Sequence, residues 1–541
     1  MLSVSTFSVY DMIKRNALLF PDKTAIVDGE KSFTFSQFFV QVNSLASTLA
    51  GYGVKPRQSV AVLSMNRTEY LVLYGATSAI GAILVPLNWR LSNDELAYIL
   101  KNSGSKILFC DSVQSEKAYA IKASSEKETS GFDGIIVNFD DKNLDIKSSD
   151  ISDFKPFFHN SDDIFTLIYT AAVAGKPRGA ALSHNNIIAA NLQTSLTMKI
   201  DQSDIYLNML PLFHITGMNL SLAVMQMGGK NVLMEKFNAQ EALSTIDREK
   251  VTVMGSFPPI LVNLMDELDR FNTKEPDKTN SNNKAEIRKD SAVYDISSLK
   301  NIVGIDSPAT ICKFTEKISS KFWILYGQCE TSGFVTLSDA SECPGSAGRQ
   351  CGISNMAIVD ASDVVLPCGQ SGEIAVRGPL VFQGFWRGST NDAEILNCCN
   401  MTKEELYDTS TIRNGWHHTG DVGHVDSKGY LWFEGRKPEK ELIKPGGENV
   451  YPAEVESVIL EHPDIEETSV IGVPDPKFGE GVKAVCKKKS DSDLTAKELI
   501  EFVGSRIARY KKPGYVQFVE SLPKNSDGSI DRNKVKELYG N

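Results

Sequence analysis

Residues 164–184 read IFTLIYTAAVAGKPRGAALSH, which has the form of a strand that runs into a phosphate-binding turn. A buried strand is predicted over 165–169, followed by small residues, by Gly-Lys-Pro-Arg-Gly and by a helix from about Asn185. Small residues after a strand let backbone N–H groups approach a polyphosphate, and Arg178 could add a charge. The pattern is neither GxxxxGK[ST] nor GxGxxG, so a tight strand-to-helix turn fits it equally well.

Outside this stretch, short β-branched runs alternate with helical patterns up to about residue 435. Strands are predicted at 59–64 and 107–110, and a helix capped by Asn93 is predicted to end near Asn102. The βαβ rhythm predicts an α/β fold, with a large N-terminal domain of parallel-rich sheets covered by helices. Ligands bind such sheets at the carboxyl ends of the strands.

A charged stretch with Pro and Gly, RKPEKELIKPGGENV, follows Gly435 and is typical of a linker. Beyond it the chain has an α+β pattern of its own, with strands predicted at 467–473 and 482–487. A chain of 541 residues exceeds the size of one core. We therefore predict an N-terminal domain at 1–435 and a small α+β C-terminal domain at 436–541 that moves on a hinge.

The charge and the cysteines of the chain exclude several classes of protein. The formal net charge of −11 argues against a nucleic-acid partner, because such proteins present a basic face. The nine cysteines are dispersed without CxxC or zinc spacing, which favours reduced thiols and a cytoplasmic location. No stretch has the apolar length of a transmembrane segment, and the polar segment 271–295 is interpreted as a solvated loop. The oligomeric state is not readable, and a homodimer stays open.

Two acidic residues lie in turns of a kind that could bind a nucleotide. Residues 324–333 read ILYGQCETSG, so Glu330 follows a strand and a Gly turn, and its carboxylate could hold Mg²⁺ beside phosphate oxygens. Residues 415–426 read GWHHTGDVGHVD, which predicts Asp421 in an exposed, Gly-flanked loop where it could accept both ribose hydroxyls. Taken singly, each residue fits a solvated loop carboxylate better.

Seven segments, taken in order, resemble the motifs of the adenylate-forming superfamily, which comprises acyl-CoA synthetases, peptide-synthetase adenylation domains and luciferases. The family's YTSGTTGxPKG, PLFHxxG, VPP, YGxTE, GExxVRGP, W-x-HTGD and GRxK…GGENVYPxEVE stretches correspond, in this order, to residues 169–179, 211–217, 257–259, 326–330, 372–379, 416–421 and 435–456. Ordered matches along nearly the whole chain make the resemblance very specific. The GGENVYPAEVE stretch is more similar to acyl-CoA synthetases than to peptide-synthetase modules.

The resemblance implies an ATP-dependent, AMP-forming acid–CoA ligase that uses ATP, Mg²⁺ and CoA on a fatty or other apolar monocarboxylic acid. The residues it assigns to catalysis are Thr170, His214, Glu330 and Lys444, with Glu330 as the metal ligand. The residues it assigns to nucleotide and CoA binding are Gly175, Arg178, Gly179, Asp306, Ser307, Tyr326, Gly327, Gln328, Cys329, Asp421, Arg436, Gly446 and Gly447. Within that set, Asp421 and Arg436 would bind the ribose, and the last two glycines would admit the pantetheine arm.

Such a reaction first brings a carboxylate anion up to a polyanion and then lets a thiol attack the acyl carbonyl. Cations fixed in the site offset the first repulsion. A small domain that rotates on a hinge can supply two active-site faces in turn. The resemblance places Lys440 at that hinge and Lys444 near CoA in the thioester-forming arrangement.

The sequence departs from the family's pattern at three places. Ala-Ala-Val-Ala at 171–174 replaces the hydroxyls and a glycine of the phosphate turn, and Cys329 stands where a Thr is usual. Ser529 occupies the place of the lysine that reaches the bond-forming oxygens during adenylation. Loss of such a donor costs about 2.7–4 kcal/mol of transition-state stabilisation, and Lys524 and Lys534 are candidate substitutes.

These departures leave two alternatives open. The chain could be a catalytically impaired homologue that binds acyl groups or nucleotides. It could also be a ligase with another acceptor, either an acyl-AMP ligase that loads a carrier protein or a luciferase-like enzyme, although intact Lys444 favours CoA. The acid pocket is predicted from His214, Met218, Ile305 and Phe334, which are mostly apolar and offer no cation for a second carboxylate.

Overall fold

The protein is represented by a computed structural model that describes most of the chain. The described residues are 6–125, 132–141, 154–160, 162–170, 176–273, 294–388, 402–437, 442–476, 478–490, 492–525 and 530–540. Within these residues, no helix combines the length and the apolar character needed to cross a membrane. The predictions for Gly175 and the rest of 171–175, for Lys440 and for Ser529 lie outside the described residues, as does most of the polar segment 271–295.

The described chain alternates strands and helices, as the βαβ rhythm predicts. In chain order the strands are β1 (Thr24–Asp28), β2 (Lys31–Thr34), β3 (Ser59–Leu63), β4 (Ile83–Pro86), β5 (Ile107–Cys110), β6 (Ile135–Asn138), β7 (Ile164–Thr170), β8 (Arg178–Ser183), β9 (Ile205–Asn208), β10 (Lys230–Leu233), β11 (Val253–Ser256), β12 (Asn301–Gly304), β13 (Lys321–Gln328), β14 (Gly333–Asp339), β15 (Asn355–Val359), β16 (Gly372–Arg377), β17 (Phe385–Trp386), β18 (Tyr407–Asp408), β19 (Ile412–Arg413), β20 (Trp416–Val425), β21 (Leu431–Arg436), β22 (Ile465–Asp475), β23 (Gly479–Lys488) and β24 (Tyr515–Phe518). The helices are α1 (Val9–Leu19), α2 (Phe35–Gly51), α3 (Thr68–Ile80), α4 (Asn93–Ser103), α5 (Ser115–Ser125), α6 (His184–Met198), α7 (Ile215–Gln226), α8 (Ala239–Glu249), α9 (Ile260–Thr273), α10 (Pro308–Lys317), α11 (Lys403–Leu406), α12 (Pro452–Leu460), α13 (Ala496–Gly504) and α14 (Arg532–Tyr539). The helix predicted near Asn93 does begin there, but Ser92 rather than Asn93 caps it.

Two eight-stranded sheets form the centre of residues 6–437, which we call the large part. The first has the order β14-β13-β12-β11-β9-β10-β1-β2 and the second the order β18-β17-β8-β7-β4-β3-β5-β6. The central pairs are parallel, and antiparallel pairs such as β1–β2, β13–β14 and β7–β8 lie toward the ends. Central strands such as β3 and β11 are buried along their whole length, as expected of parallel strands covered on both faces. The predicted α/β fold with parallel-rich sheets is confirmed.

The phosphate turn joins two antiparallel strands, which differs from the predicted strand-to-helix connection. Strand β8 returns alongside β7, with Arg178 directly opposite Thr170. Helix α6 therefore begins at His184, only after this extra strand. The sequence of β8, RGAALS, is rich in small residues that carry little strand preference, which explains why it was missed.

A smaller antiparallel sheet, β15-β16-β20-β19 with β21 paired to β20, completes the large part. Asp421 lies in the middle of β20, directly opposite Arg436 on β21. Because the Asp421 residue is only 1% exposed, the prediction of an exposed loop carboxylate is wrong. Of the glycines that suggested a loop, Gly423 serves strand packing, since a Cβ there would lie 2.4 Å from the carbonyl oxygen of Trp432. Gly420 has a φ of +73°.

Residues 442–540, which we call the small part, form an α+β unit with its own sheet, β22-β23-β24. The predicted strands at 467–473 and 482–487 lie within β22 and β23. Its buried core includes Val455 and Val470 and is distinct from the cores of the large part. The division predicted at residue 435 falls one residue before the end of β21.

Candidate active site

Residues at the carboxyl ends of β11, β12 and β13 line three adjacent cavities that face the small part. Cavity A (about 630 Å³) is lined by residues that include Asp306, Tyr326, Gly327, Phe433, Asp421, Arg436 and Lys444; cavity B (about 360 Å³) by Thr170, Arg178, His214, Gln328, Cys329, Glu330, Phe334, Arg436 and Lys444; and cavity C (about 320 Å³) by Trp89, Arg90, Phe213, His214, Pro258, Gly446 and Glu448. Arg436 borders both A and B, and His214 borders both B and C. The three cavities therefore form one cleft.

Asp421 is held by three side chains at the border of cavity A. Tyr326 Oη donates a hydrogen bond to its Oδ2 at 2.8 Å, and Gln328 Nε2 donates to the same oxygen at 2.6 Å. Arg436 Nε lies 3.0 Å from Oδ1, an ion-pair contact without hydrogen-bond alignment. Oδ1 therefore keeps acceptor capacity, which suits a ligand hydroxyl. We call these four residues the Asp421 clamp.

The charges of the Asp421 clamp are fixed by their surroundings. Burial opposes the charge on Arg436, but Asp421 and other neighbours outweigh it and raise the pKa of the guanidinium. Burial first and Asp421 second raise the pKa of Tyr326 well above its ordinary value, so the phenol stays a proton donor. The clamp thus combines an ion pair between buried Asp421 and half-buried Arg436 with a neutral donor.

The end of β13 is a tight turn that brings Cys329 and Glu330 to cavity B. Strand β13 is irregular between Tyr326 and Gly327. A Cβ on Gly327 would lie 1.7 Å from the carbonyl oxygen of Gly333, so only glycine fits without movement of the backbone. A single 3₁₀ turn then follows. Burial and the adjacent Glu330 raise the pKa of the Cys329 thiol well above its usual value, so the thiol stays protonated.

Glu330 lines cavity B together with Thr170 and Arg178. A carboxylate beside a polyphosphate site suits Mg²⁺, which takes one or two protein carboxylates and completes its shell with phosphate oxygens and water. In the part of the chain that the structure describes, no group of three or more His, Cys, Asp or Glu side chains could hold a metal. The single carboxylate of Glu330 at cavity B fits a magnesium ion that would take its other ligands from a nucleoside triphosphate and from water.

Arg178 reaches cavity B from β8 but already has partners. Its guanidinium pairs with Asp408 on β18, and its central carbon lies 3.6 Å from the ring centroid of Phe385. Gly179, the next residue, does not line the three cavities. A Cβ on Gly179 would lie 3.0 Å from the ring of Tyr169, so this glycine serves the packing of the hairpin.

The small part contributes Lys444 and the glycines that follow it. The Lys444 backbone N–H donates to Glu480 Oε2 at 2.7 Å, and the side chain borders cavities A and B. The Lys444 residue is exposed to the cleft, but many protein atoms surround its ammonium group. Desolvation by these atoms, and next the repulsion from Arg436, lower the pKa of Lys444. Gly446 has a φ of +59°, which favours glycine, and lines cavity C. Gly447 belongs to the same 3₁₀ turn.

His214 lies where cavities B and C meet, at the start of α7. Its Nδ1 accepts a hydrogen bond from the backbone N–H of Thr216 at 3.2 Å and so caps the helix. Burial, followed by repulsion from Arg90 and Lys444, lowers the pKa of His214 to about 4. The imidazole is therefore neutral at pH 7.

Some predicted residues take other places. Ser307 caps α10 with its hydroxyl and does not line the cavities. Asp306 does line cavity A, and its partial burial raises the pKa of its carboxyl. Met218 is fully buried in the core rather than in the acid pocket, because it lies on the packed face of α7. Ile305 and Phe334 do line cavity B.

Several cleft residues were not predicted individually. Asn449 and Tyr451 line cavity B and lie inside the GGENVYP stretch, so the motif itself carried their signal. Phe478 and Glu480 also line cavity B. They come from the β22–β23 connection and the start of β23, where the sequence gives no signal. Arg90 lines cavity C and follows β4, the kind of strand end at which ligands bind.

Comparison with known proteins gives matches along nearly the whole chain. The sequence model of the AMP-binding enzyme family matches residues 13–386, and that of the AMP-binding enzyme C-terminal domain matches residues 454–529. The chain is 32% identical to the indoleacetate–CoA ligase of Aromatoleum aromaticum, over 98% of this chain and 97% of that protein. It is 29% identical to the long-chain-fatty-acid–CoA ligase FadD13 of Mycobacterium tuberculosis, over 98% of both chains.

Two solved structures of the o-succinylbenzoate CoA synthetase of Bacillus subtilis, each 26% identical, share the fold. A double mutant bound with its product analogue gives a TM-score of 0.79, with coverage of 97% of this chain and 98% of that chain. The complex with the acyl-adenylate intermediate gives 0.66, with coverage of 98% and 99%. The present structure is therefore more similar to the first complex than to the second.

Proposed function

The chain belongs to the AMP-binding enzyme family and is an AMP-forming acid–CoA ligase, and we propose that it acts on a compact, apolar monocarboxylic acid. The observation that carries the proposal is the wall of cavity B, where Phe257, Ile305, Leu325 and Phe334 are apolar. Burial of an apolar substrate against such a wall stabilises the complex by about 25 cal/mol per Å².

The size of cavity B favours a compact acid. Its volume of about 360 Å³ lies near the lower end of the usual range for ligand pockets, about 300–1,000 Å³. Part of that space has to admit the reacting phosphate. An acid of the size of an arylacetate or a medium-chain fatty acid fits better than a long-chain one. The relatives named for indoleacetate and for long-chain fatty acids leave this choice open.

A second carboxylate on the acid would find no ready partner. Of the cations at cavity B, Arg178 is paired with Asp408 and Arg436 with Asp421. The remaining cation among the described residues of the cavity B wall is Lys444, which we assign to CoA. A monocarboxylate therefore suits this wall better than a dicarboxylate.

In the proposed adenylation complex, the Asp421 clamp accepts the ribose hydroxyls and Tyr326 and Gly327 border the adenine in cavity A. The phosphates extend toward Glu330 and Thr170 in cavity B. Mg²⁺ held by Glu330 would neutralise phosphate charge when bound. The acid oxygen bonds to the α-phosphorus, and pyrophosphate leaves with the electron pair of the broken bond.

In the second step, the thiol of CoA enters through cavity C and its sulfur bonds to the acyl carbon while the thiol proton is released to water. AMP leaves with the electron pair of the broken acyl C–O bond. Lys444 and Gly446 border this route from the small part. His214 is a weak base, because its pKa is about 4. We assign it to shaping the passage between cavities B and C, not to proton transfer.

We further propose that residues 436–541 move as a unit between the two steps. The higher TM-score to the product-analogue complex, 0.79 against 0.66, supports a thioester-forming arrangement for this structure. The contact of Lys444 with the cleft agrees with that arrangement. The cytoplasmic location and the homodimer stay predictions.

An acid panel tests the proposal. The purified protein is incubated with ATP, Mg²⁺ and CoA, and AMP release is followed with arylacetates, medium-chain and long-chain fatty acids, and dicarboxylates. We expect the highest kcat/KM for a compact apolar monocarboxylate. A preference for long-chain acids or dicarboxylates would contradict the assignment of the acid. Acyl transfer to a carrier protein but not to CoA would favour a ligase that loads a carrier protein. Nucleotide binding without turnover would favour a catalytically impaired homologue.

A further inference from the structure

A fully buried lysine joins the large and small parts of the molecule. Lys511 has no solvent-exposed surface, and its ammonium donates to Glu454 Oε1 at 2.5 Å and to Glu95 Oε1. Glu454 belongs to α12 of the small part, whereas Glu95 belongs to α4 of the large part. We call these three residues the Lys511 bridge.

The Lys511 bridge has two carboxylates for one ammonium. Glu95 Oε2 accepts the backbone N–H and the hydroxyl of Ser92, both at 2.7 Å. Glu454 Oε2 has no hydrogen-bond partner among the described residues. A buried charge is costly without a partner. If the small part turned away, Lys511 would keep Glu454 and lose Glu95, so the bridge is complete only in the present arrangement.

Apolar and ionic contacts surround the Lys511 bridge. Ala508 is 2% exposed and belongs to a core cluster of the large part, although it lies in the small part. Tyr510 packs against the cores of both parts. Arg90 of the large part also forms an ion pair with Glu448 of the small part. The segment 508–511 therefore docks the small part onto the large part.

The Lys511 bridge lies directly behind the reaction site. Tyr510, Lys511 and Glu448 line a small cavity of about 80 Å³ together with Thr170 and His214. A change in the docking of segment 508–511 would therefore shift residues that line cavities B and C. It would also move Lys444, which belongs to the same part of the chain.

We infer that Lys511 and Glu95 are positioning residues for the thioester-forming step, because their contact holds the small part where Lys444 and Gly446 face the cleft. The inference rests on the proposed transfer to CoA. Neither residue touches the reacting atoms, and their effect is on the population of this arrangement. Loss of the contact should slow acyl transfer and spare adenylation.

The experiment measures the two half-reactions separately in graded variants. Adenylation is followed as pyrophosphate release without CoA, and acyl transfer as the decay of preformed adenylate after addition of CoA. Glu95→Gln keeps a capping side chain for Ser92 but removes the charge, and we expect about a 10-fold slower transfer. Glu95→Lys places two ammonium groups together, and we expect about a 100-fold slower transfer. Adenylation should stay within twofold of the wild type in both variants.

Ser92→Ala is the matched control, because it removes the helix cap and leaves the charge of Glu95 in place. It should leave the ratio of the two rates unchanged. An equal loss of both half-reactions in Glu95→Lys, or no loss of transfer, would overturn the inference. The melting temperature of each variant separates a docking effect from general instability.

Hydrogen exchange gives a readout that does not depend on catalysis. We expect backbone amides of 505–515 to exchange faster in Glu95→Lys than in the wild type, while those of the large-part core stay unchanged. Unchanged exchange in 505–515 would contradict the inference even if the wild type showed no activity. Absence of adenylate formation in the wild type would instead count against the proposed function.

Discussion

The two ends of the cleft are built in different ways. At the nucleoside end, strand register sets Asp421 opposite Arg436, and buried hydrogen bonds from Tyr326 and Gln328 hold its carboxylate. At the phosphate end, Arg178 is committed to an ion pair, and the sequence has Ala-Ala-Val-Ala at 171–174. Compared with the family's motifs, the residues held by sheet geometry at the nucleoside end are thus retained, whereas the hydroxyl side chains of the phosphate turn are replaced. We expect firm nucleoside binding combined with a slow adenylation step.

Removal of the Asp421 carboxylate should disrupt the nucleoside end of the cleft and give the largest loss of activity. Asp421→Ala deletes the ribose acceptor and leaves the half-buried Arg436 without its carboxylate partner, a loss of about 3–5 kcal/mol. We expect kcat/KM for ATP to fall by about 100-fold or more, together with a lower melting temperature. Asp363→Asn, which weakens a surface ion pair with Arg413, is the control and should be near neutral. A decrease of less than about fivefold for Asp421→Ala would contradict the assignment.

Lys444→Ala tests the face that the small part presents to the cleft. A hydrogen bond to a charged group contributes about 1.5–3 kcal/mol, so acyl transfer to CoA should slow by about 30-fold. Adenylation without CoA should be nearly unchanged. Lys487→Ala, which removes a lysine of the small part paired with Glu466 on the surface, should leave both steps intact. Equal losses in both steps for Lys444→Ala would argue against a role specific to CoA.

The pH dependence of stability tests the lowered pKa of His214. Its pKa is about 4 in the folded protein and about 6.5 when unfolded. Below pH 6.5 the His214 imidazole binds a proton in the unfolded chain but stays neutral in the folded chain. The free energy of unfolding therefore falls as the pH drops from about 6.5 to about 4. The loss should reach about 2 kcal/mol at pH 5.

His214→Asn is the matching variant, because asparagine can still cap α7. Without a titrating group at position 214, its free energy of unfolding should lack the decrease of about 2 kcal/mol between pH 7 and pH 5 that we expect for the wild type. Denaturant unfolding at both pH values measures the difference. Parallel pH curves for the two proteins would show that His214 titrates normally.

Ser529→Lys should strengthen the weaker end and gives the smallest effect. It restores the cation that the resemblance places at the bond-forming oxygens. Because the altered phosphate turn remains, we expect only part of the full effect, about a 10-fold faster adenylation with an unchanged acyl transfer. Pyrophosphate release in single turnover measures the first step. Unchanged adenylation would indicate that another cation already serves this role.

The fold class was predictable because the strands of the large part are short buried runs separated by helical patterns. The hairpin β7–β8 was not, since its second strand is made of small residues without a strand preference. Asp421 illustrates the same limit: the neighbouring Gly420 and Gly423 suggested a loop, but both lie within β20, where Gly423 permits close strand packing. Local sequence does not show which partner a strand will meet.

The site was predictable where ordered motifs carry it, as for Tyr326, Asp421 and Arg436. Phe478 and Glu480 were not, because they reach the cleft only through the docking of the small part. Lys511 likewise gains its meaning from Glu95, which lies 416 positions away in the sequence. Contacts of this kind depend on the arrangement of the two parts rather than on any local pattern.

The stoichiometry of the complete reaction tests most directly whether this protein is an AMP-forming acid–CoA ligase. Wild-type protein is given ATP, Mg²⁺, CoA and the best acid of the panel, and AMP and CoA thioester are quantified together. We expect the two products to form in equal amounts and neither to form without the acid. Protein that unfolds cooperatively, and is thus well folded, yet yields neither product with any acid would contradict this expectation.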